Sequence, residues 1–145
     1  MTRPAVPHPR RLYLDTSAYL CILLNEQGAQ QLSAETRGAE LLSSVLLVLE
    51  AKRTLIRLAR EGGLEPEQYT TCVERLEEDT SLFLLRDLTL DLCASNVLPA
   101  VLTPRSLDLA HLRTAWWFHS AGPLERFVTM DVSQRQAAKE MGLPV

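Results

Sequence analysis

Lysine is nearly absent from this chain, cysteine and histidine are few, and no apolar run is long enough to span a bilayer. Lys52 and Lys139 are the two lysines among 15 basic residues. The others are arginine, whose planar fork can grip a phosphate through paired hydrogen bonds where lysine offers a point charge. Codon usage in a GC-rich genome produces the same bias. Cys21, Cys72 and Cys93 form no CxxC pair and no zinc spacing, and His8, His111 and His119 complete no zinc set with them. All three cysteines sit in apolar stretches, so they read as reduced core thiols of a cytosolic protein. The opening MTRPAVPHPRR carries three prolines and no apolar h-region, which excludes a signal peptide and leaves residues 1–10 as a flexible arm. The richest apolar run, LLSSVLLVL, is broken by serines and too short for a membrane span. A net charge of −3 excludes a strongly basic nucleic-acid binder but leaves room for a local basic strip.

What is present is an ordinary soluble composition, 46% hydrophobic and 23% charged over 145 residues, enough for one domain with a core across residues 11–145. Short apolar runs alternate with helical patterns. RLYLD, AELLSS, SLFLLRD and RFVTM read as strands. TSAYLCILLNE, a polar helix or turn through Thr36, a long helix from about Ser44 to Arg60, EPEQYTTCVERLEED, LTLDLCASNVL, 106–119 and VSQRQAAKEMG read as helices. Gly62-Gly63 stops the long helix, and Pro66 and Pro104 mark helix starts. LPV reads as the start of a fifth strand. Strands separated by helices require parallel crossovers, so the expected fold is a three-layer α/β arrangement: a short, mostly parallel central sheet flanked by helices.

Four acidic residues lie in or beside apolar sequence: Asp15, Glu50, Asp108 and Asp131. A lone carboxylate there is costly unless compensated. Four that converge repel one another, and a divalent cation removes the conflict, hard oxygen ligands suiting Mg²⁺ or Mn²⁺. Each acid also has a plain explanation. Asp15 and Asp131 follow strands and are good helix N-caps, Asp131 with Gln134 resembling a capping box. Glu50 suits a solvated face with an ion pair to Arg53. At 3.6 residues per turn, Arg53, Arg57 and Arg60 fall within about a quarter-turn of Glu50, either as solvated charge or as a track for phosphates. Asp108 lies in a first helical turn, where the dipole favours it, and His111 shares its face as a packed or supporting residue. Trp116, Trp117 and Phe118 read as a buried helix end.

These segments resemble the PIN-domain ribonucleases, and among them the VapC toxins of prokaryotic toxin–antitoxin pairs. LYLDTSAYL is similar to the family's first strand and its Asp-Thr/Ser-Ser/Ala. SSVLLVLEAKR is similar to its Ser-rich approach to a glutamate-bearing helix. RSLDLAHLRTA is similar to Leu-Asp-Ala-x-His-Leu-Ala, and FVTMDVSQRQAAKEMGLPV to its Val-Thr-x-Asp segment and Gly-Leu-Pro-Val ending. The resemblance runs in order from Arg11 to Val145, so residues 11–145 are expected to form a single PIN-like domain. The departures are an uneven second helical segment, a longer N-terminal arm and a short ending. The resemblance implies Mg²⁺- or Mn²⁺-dependent RNA cleavage by Asp15, Glu50, Asp108 and Asp131. Asp15 and Asp108 would hold the metal directly. Glu50 and Asp131 would orient water, act as base or support a second ion, and one and two ions both stay open. Thr16, Ser17 and Thr129 would support the acids, and Arg53 and Arg57 would contact RNA phosphates. It further implies a cytoplasmic prokaryotic toxin, a cognate antitoxin partner and a homodimer, with no membrane role.

Three other readings compete. An aspartyl phosphohydrolase wants a second Asp two residues after Asp15, and position 17 is Ser. A phosphoacceptor receiver would use Asp87 but wants an acidic pair near the first strand, which RLYLD lacks. A PIN-like module that binds RNA or protein without cleaving it needs no intact set of four acids.

Overall fold

A computed structural model describes residues 2, 4–5, 8–96, 100–103 and 105–145. Four short strands build one sheet: β1 (Arg11–Leu14), β2 (Glu40–Ser44), β3 (Phe83–Arg86) and β4 (Arg126–Val128). Among the described residues seven helices connect and cover them: α1 (Thr16–Leu23), α2 (Ala29–Thr36), α3 (Leu46–Arg60), α4 (Pro66–Thr80), α5 (Leu90–Ala94), α6 (Ser106–Ala121) and α7 (Val132–Glu140). The strand order is β3-β2-β1-β4, and every pairing is parallel rather than mostly so. The chain winds outward from β1 to β3, then returns to the other side of β1. Asp15 and Asp131 follow the two strands that flank this reversal, the place where an open α/β sheet leaves a crevice at its strand ends.

The layers follow from alternation along β1. Tyr13 points to one face, where it packs with Leu42, Leu112, Phe118 and Phe127 beneath α6 and α7. Leu12 and Leu14 point to the other, against Ala18, Cys21, Ala29 and Leu32 of α1 and α2. Tyr13 and Phe127 stack at 5.4 Å between ring centroids. Outside α1, the apolar face of α3 (Leu47, Ala51, Leu55) meets Tyr19, Leu23 and Leu76 of α4. The expected three-layer α/β architecture is therefore present.

Local punctuation explains the boundaries. The Ser44 hydroxyl accepts a hydrogen bond from the Leu46 amide at 3.2 Å, starting α3. Gly62, at φ +77°, ends it in a conformation that side-chain-bearing residues rarely adopt. Pro66 opens α4, and the Gln68 side chain accepts from the Glu65 amide at 2.9 Å.

Several expectations need correction. LPV forms no strand; the Phe127 amide donates to the Pro144 carbonyl at 2.7 Å, a single bond along the free edge of β4. The helix expected over LTLDLCASNVL is the five-residue α5, and its expected end at residues 97–98 lies outside the described residues. The Pro104 helix mark likewise lies outside them. Of the cysteines, Cys21 is buried but Cys72 only partly, and Cys93 is exposed because α5 buries only Leu92. Of the three aromatics ending α6, Phe118 is buried, Trp116 half-buried, and Trp117 is 45% exposed beneath the Arg86 guanidinium. Part of the expected N-terminal arm lies outside the described residues, while Arg10 donates to the Glu35 and Arg37 carbonyls. Among the described residues no helix is long and apolar enough to cross a membrane.

Candidate active site

Asp15, Glu50, Asp108 and Asp131 line one cleft of about 370 Å³ at the strand ends, with Thr16, Ser17, Arg53, Arg57, Arg105 and His111 around them. Four elements deliver the acids. Asp15 follows β1, Asp131 follows β4, Glu50 projects from the second turn of α3, and Asp108 from the first turn of α6.

Both cap readings hold alongside the cleft. The Asp15 carboxylate caps α1, accepting from the Ala18 amide at 3.1 Å, and Asp131 caps α7, accepting from the Gln134 amide at 3.0 Å. The capping box expected at Asp131 is half-formed. The Gln134 carboxamide instead donates to the Asp108 carbonyl at 2.9 Å, tying the start of α7 to the start of α6. Gln134 is 2% exposed, and its Oε1 has no partner among the described residues.

The hydroxyls are spent on acids. Ser17 Oγ donates to Asp15 Oδ1 at 2.6 Å, and Thr129 Oγ1 donates to Asp15 Oδ2 at 2.5 Å. Ser17 Oγ accepts from the Met130 amide and Thr129 Oγ1 from the Asp131 amide, which knits β1's end to β4's. Thr16 Oγ1 donates to Glu50 Oε1 at 2.9 Å. His111 Nε2 meets the same oxygen at 2.8 Å. Glu50 therefore makes cross-element bonds rather than the expected solvated pair with Arg53. Among the described residues Arg53 makes no ion pair, while Arg57 pairs with Glu61 at 3.1 Å.

Electrostatics separates the acids. Asp15 is 4% exposed, and that burial raises its carboxyl above the ordinary range despite hydrogen bonds from Ser17 and Thr129 and the charge of His111. Asp108 is also raised, by burial first and then by the Asp131 charge, with smaller contributions from Asp15 and Glu50; Arg105 opposes. Glu50 goes the other way. Burial would raise it, but the His111 hydrogen bond and charge and the Thr16 hydroxyl together hold it below the usual range.

These shifts set a pH signature. The raised Asp108 weakens the fold while ionised, and that cost vanishes once pH falls below the unfolded value of about 3.9. Asp108→Asn is thus expected to raise the metal-free melting temperature at neutral pH. Solvent screening limits the gain to a few tenths to about 1 kcal/mol, or roughly 1–4 °C. Thermal melts from pH 7 down to 3 should show the gain shrink to zero at the acid end. Depressed Glu50 has the opposite sign: its contribution is present above the unfolded pKa and is lost as pH falls through the folded one.

The donor chemistry is of the kind a hard divalent cation takes: four carboxylates on one cleft, with Asp15 raised by burial and Asp108 by burial and by the neighbouring carboxylates. Among the described residues no group of three or more His, Cys, Asp or Glu side chains stands close enough to hold a metal as placed. Repulsion opposes closer approach, and Mg²⁺ needs only one or two direct carboxylates beside its waters. Asp87, the acid a receiver would phosphorylate, follows the edge strand β3 and lines a different cleft with Arg86 and Trp117.

Two contributors, Arg105 and Gln134, carry no site expectation from the sequence, and His111 carries one only as a packed or supporting residue. Arg105 precedes α6 on the cleft rim, and its place three residues before Asp108 was the available signal. His111 was placed on the Asp108 face as a supporting residue, but its partner Glu50 lies 61 residues away and leaves no local mark. Gln134 was visible only as half of a capping box.

No family model matches the chain, and no curated protein matches it either.

Proposed function

We propose that the protein is a Mg²⁺- or Mn²⁺-dependent endoribonuclease of the PIN, VapC-like kind, acting in the cytoplasm as the toxin of a toxin–antitoxin pair. The observation that carries the reading is the delivery of Asp15, Glu50, Asp108 and Asp131 into one cleft at the reversal of a parallel sheet. Free cysteines throughout agree with a reducing compartment. A cognate antitoxin and a homodimer belong to the same proposal.

In this mechanism Asp15 and Asp108 would hold the cation, and Glu50 and Asp131 would orient the attacking water. The cation, when bound, supplies Lewis-acid stabilisation of the phosphate and a lowered pKa for a bound water. Ser17 and Thr129 hold the Asp15 carboxylate in a fixed orientation at the cleft. Thr16 and His111 both engage Glu50 Oε1, which leaves Oε2 for a water proton. Arg53 and Arg57 on α3 and Arg105 at the foot of α6 flank the acids and can take phosphates on either side.

The direct test is cleavage of single-stranded RNA by purified protein with Mg²⁺, with Mn²⁺ and with chelator. Cleavage restored by metal supports the enzyme. Tight RNA binding with no cleavage under any condition would favour the non-catalytic module. The basic rim has its own test. Replacing Arg53 and Arg57 together with Gln should weaken RNA binding and lower the log–log salt slope by roughly two units, about one per lost phosphate contact. An unchanged slope would place both side chains off the RNA path.

A further inference from the structure

We infer that His111, braced by Tyr13, is the positioning residue that presents Glu50 to the reaction, an inference that rests on the nuclease reading above. The three side chains form a chain from core to cleft across three elements: Tyr13 on β1, His111 on α6 and Glu50 on α3. The Tyr13 hydroxyl meets His111 Nδ1 at 2.8 Å, and His111 Nε2 meets Glu50 Oε1 at 2.8 Å. The imidazole is 2% exposed, and Tyr13 is fully buried against Phe127.

The proton count orients the chain. An ionised carboxylate only accepts, so Nε2 must carry a proton. Nδ1 meets the Tyr13 hydroxyl, which is its donor in the neutral ring and its acceptor in the charged one. Thr16 gives its own proton to Glu50, so its oxygen can also accept from Nε2 at 3.1 Å. Both donors to Glu50 land on Oε1. A free glutamate side chain samples many rotamers, and ordering it costs conformational entropy. Fixing it before substrate arrives is preorganisation, and its effect belongs in the turnover step rather than in substrate binding.

A histidine that merely filled the core would also destabilise the protein when removed, so the test reads what packing does not move. His111→Leu deletes the donor. His111→Gln keeps an N–H the same number of bonds from Cβ. Tyr13→Phe deletes the brace, together with the Tyr13 hydroxyl's contacts to Ser43 and Thr114. Steady-state cleavage of one RNA should show His111→Leu with kcat down about 10–100-fold and KM little changed. His111→Gln should recover most of that loss, and Tyr13→Phe should show a smaller loss in the same parameter. In the Glu50→Gln background, His111→Leu should cost nothing further, because the residue acts through Glu50. Independently of activity, the His111 Nε2–H resonance of metal-free protein should be visible by NMR and should move in Glu50→Ala. Multiplying losses in the double variant, or an Nε2–H resonance indifferent to Glu50→Ala, overturns the proposal. Wild-type protein that cleaves no RNA with either metal overturns it together with the nuclease reading. Cleavage that depends on Glu50 but ignores His111→Leu overturns the positioning role alone.

Discussion

On the nuclease reading, Asp108→Asn is expected to remove metal-dependent RNA cleavage and, with it, any rise in melting temperature on adding Mg²⁺ or Mn²⁺. Asp108 is the acid that feels the other three: burial and the charges of Asp131, Asp15 and Glu50 all raise it. It is also the acid for which no side-chain hydrogen bond is found among the described residues, so its carboxylate is free to turn toward a cation. Asn keeps the shape and removes the charge. If Asp108 is a direct cation ligand, as the nuclease reading has it, its loss should slow cleavage by at least about 10³-fold, near 4 kcal/mol of barrier. Wild-type protein should melt higher as Mn²⁺ is added, because any ligand of the native state stabilises it by mass action. The variant should start slightly higher without metal and then stay flat. That crossing of two melting curves separates a lost ligand from a damaged fold. A variant that cleaves at the wild-type rate removes Asp108 from the site.

The sheet and most helices were legible because local rules write them. The strands are short apolar runs bounded by Asp, Gly or Ser, and helix starts carry Asp15, Ser44, Pro66 and Asp131. Legibility failed where burial is decided at a distance. α5 has the apolar letters of a longer helix, yet only Leu92 finds a core, and Cys93 is left outside. Tyr13 reads as one more strand aromatic, and only the fold sets its hydroxyl on His111. The acids were visible one by one, with cap explanations that proved correct for Asp15 and Asp131. What no window of sequence contains is that a cap and a cleft wall can be the same carboxylate: a helix N-terminus at the end of a strand already faces the crevice. The i,i+3 logic for Glu50 and Arg53 failed for a related reason. A partly buried glutamate gains more from two donors fixed by packing than from an exposed arginine, whose pairing in solvent contributes well under 1 kcal/mol.

Expression of the wild-type chain is expected to arrest growth, and Asp15→Asn is expected to abolish the arrest at equal protein level. Asn is chosen because it can still cap α1, so the helix start survives while the carboxylate charge is lost. Asp15 is fixed by Ser17, Thr129 and the Ala18 amide, so its removal unseats no other acid directly. A toxin with this site needs an inhibitor that neutralises the cleft. Charge complementarity selects a peptide that brings a basic side chain among the four carboxylates. On the toxin reading the inhibitor is encoded in a small adjacent reading frame, and its co-expression should restore growth, with colony counts returning by orders of magnitude. The rescued complex should cleave no RNA even with Mn²⁺, and high salt should loosen it, since the contact is ionic. Rescue without loss of cleavage would place the partner elsewhere on the surface. Equal arrest from wild type and Asp15→Asn would sink the nuclease-toxin reading and leave the cleft as a binding site without chemistry.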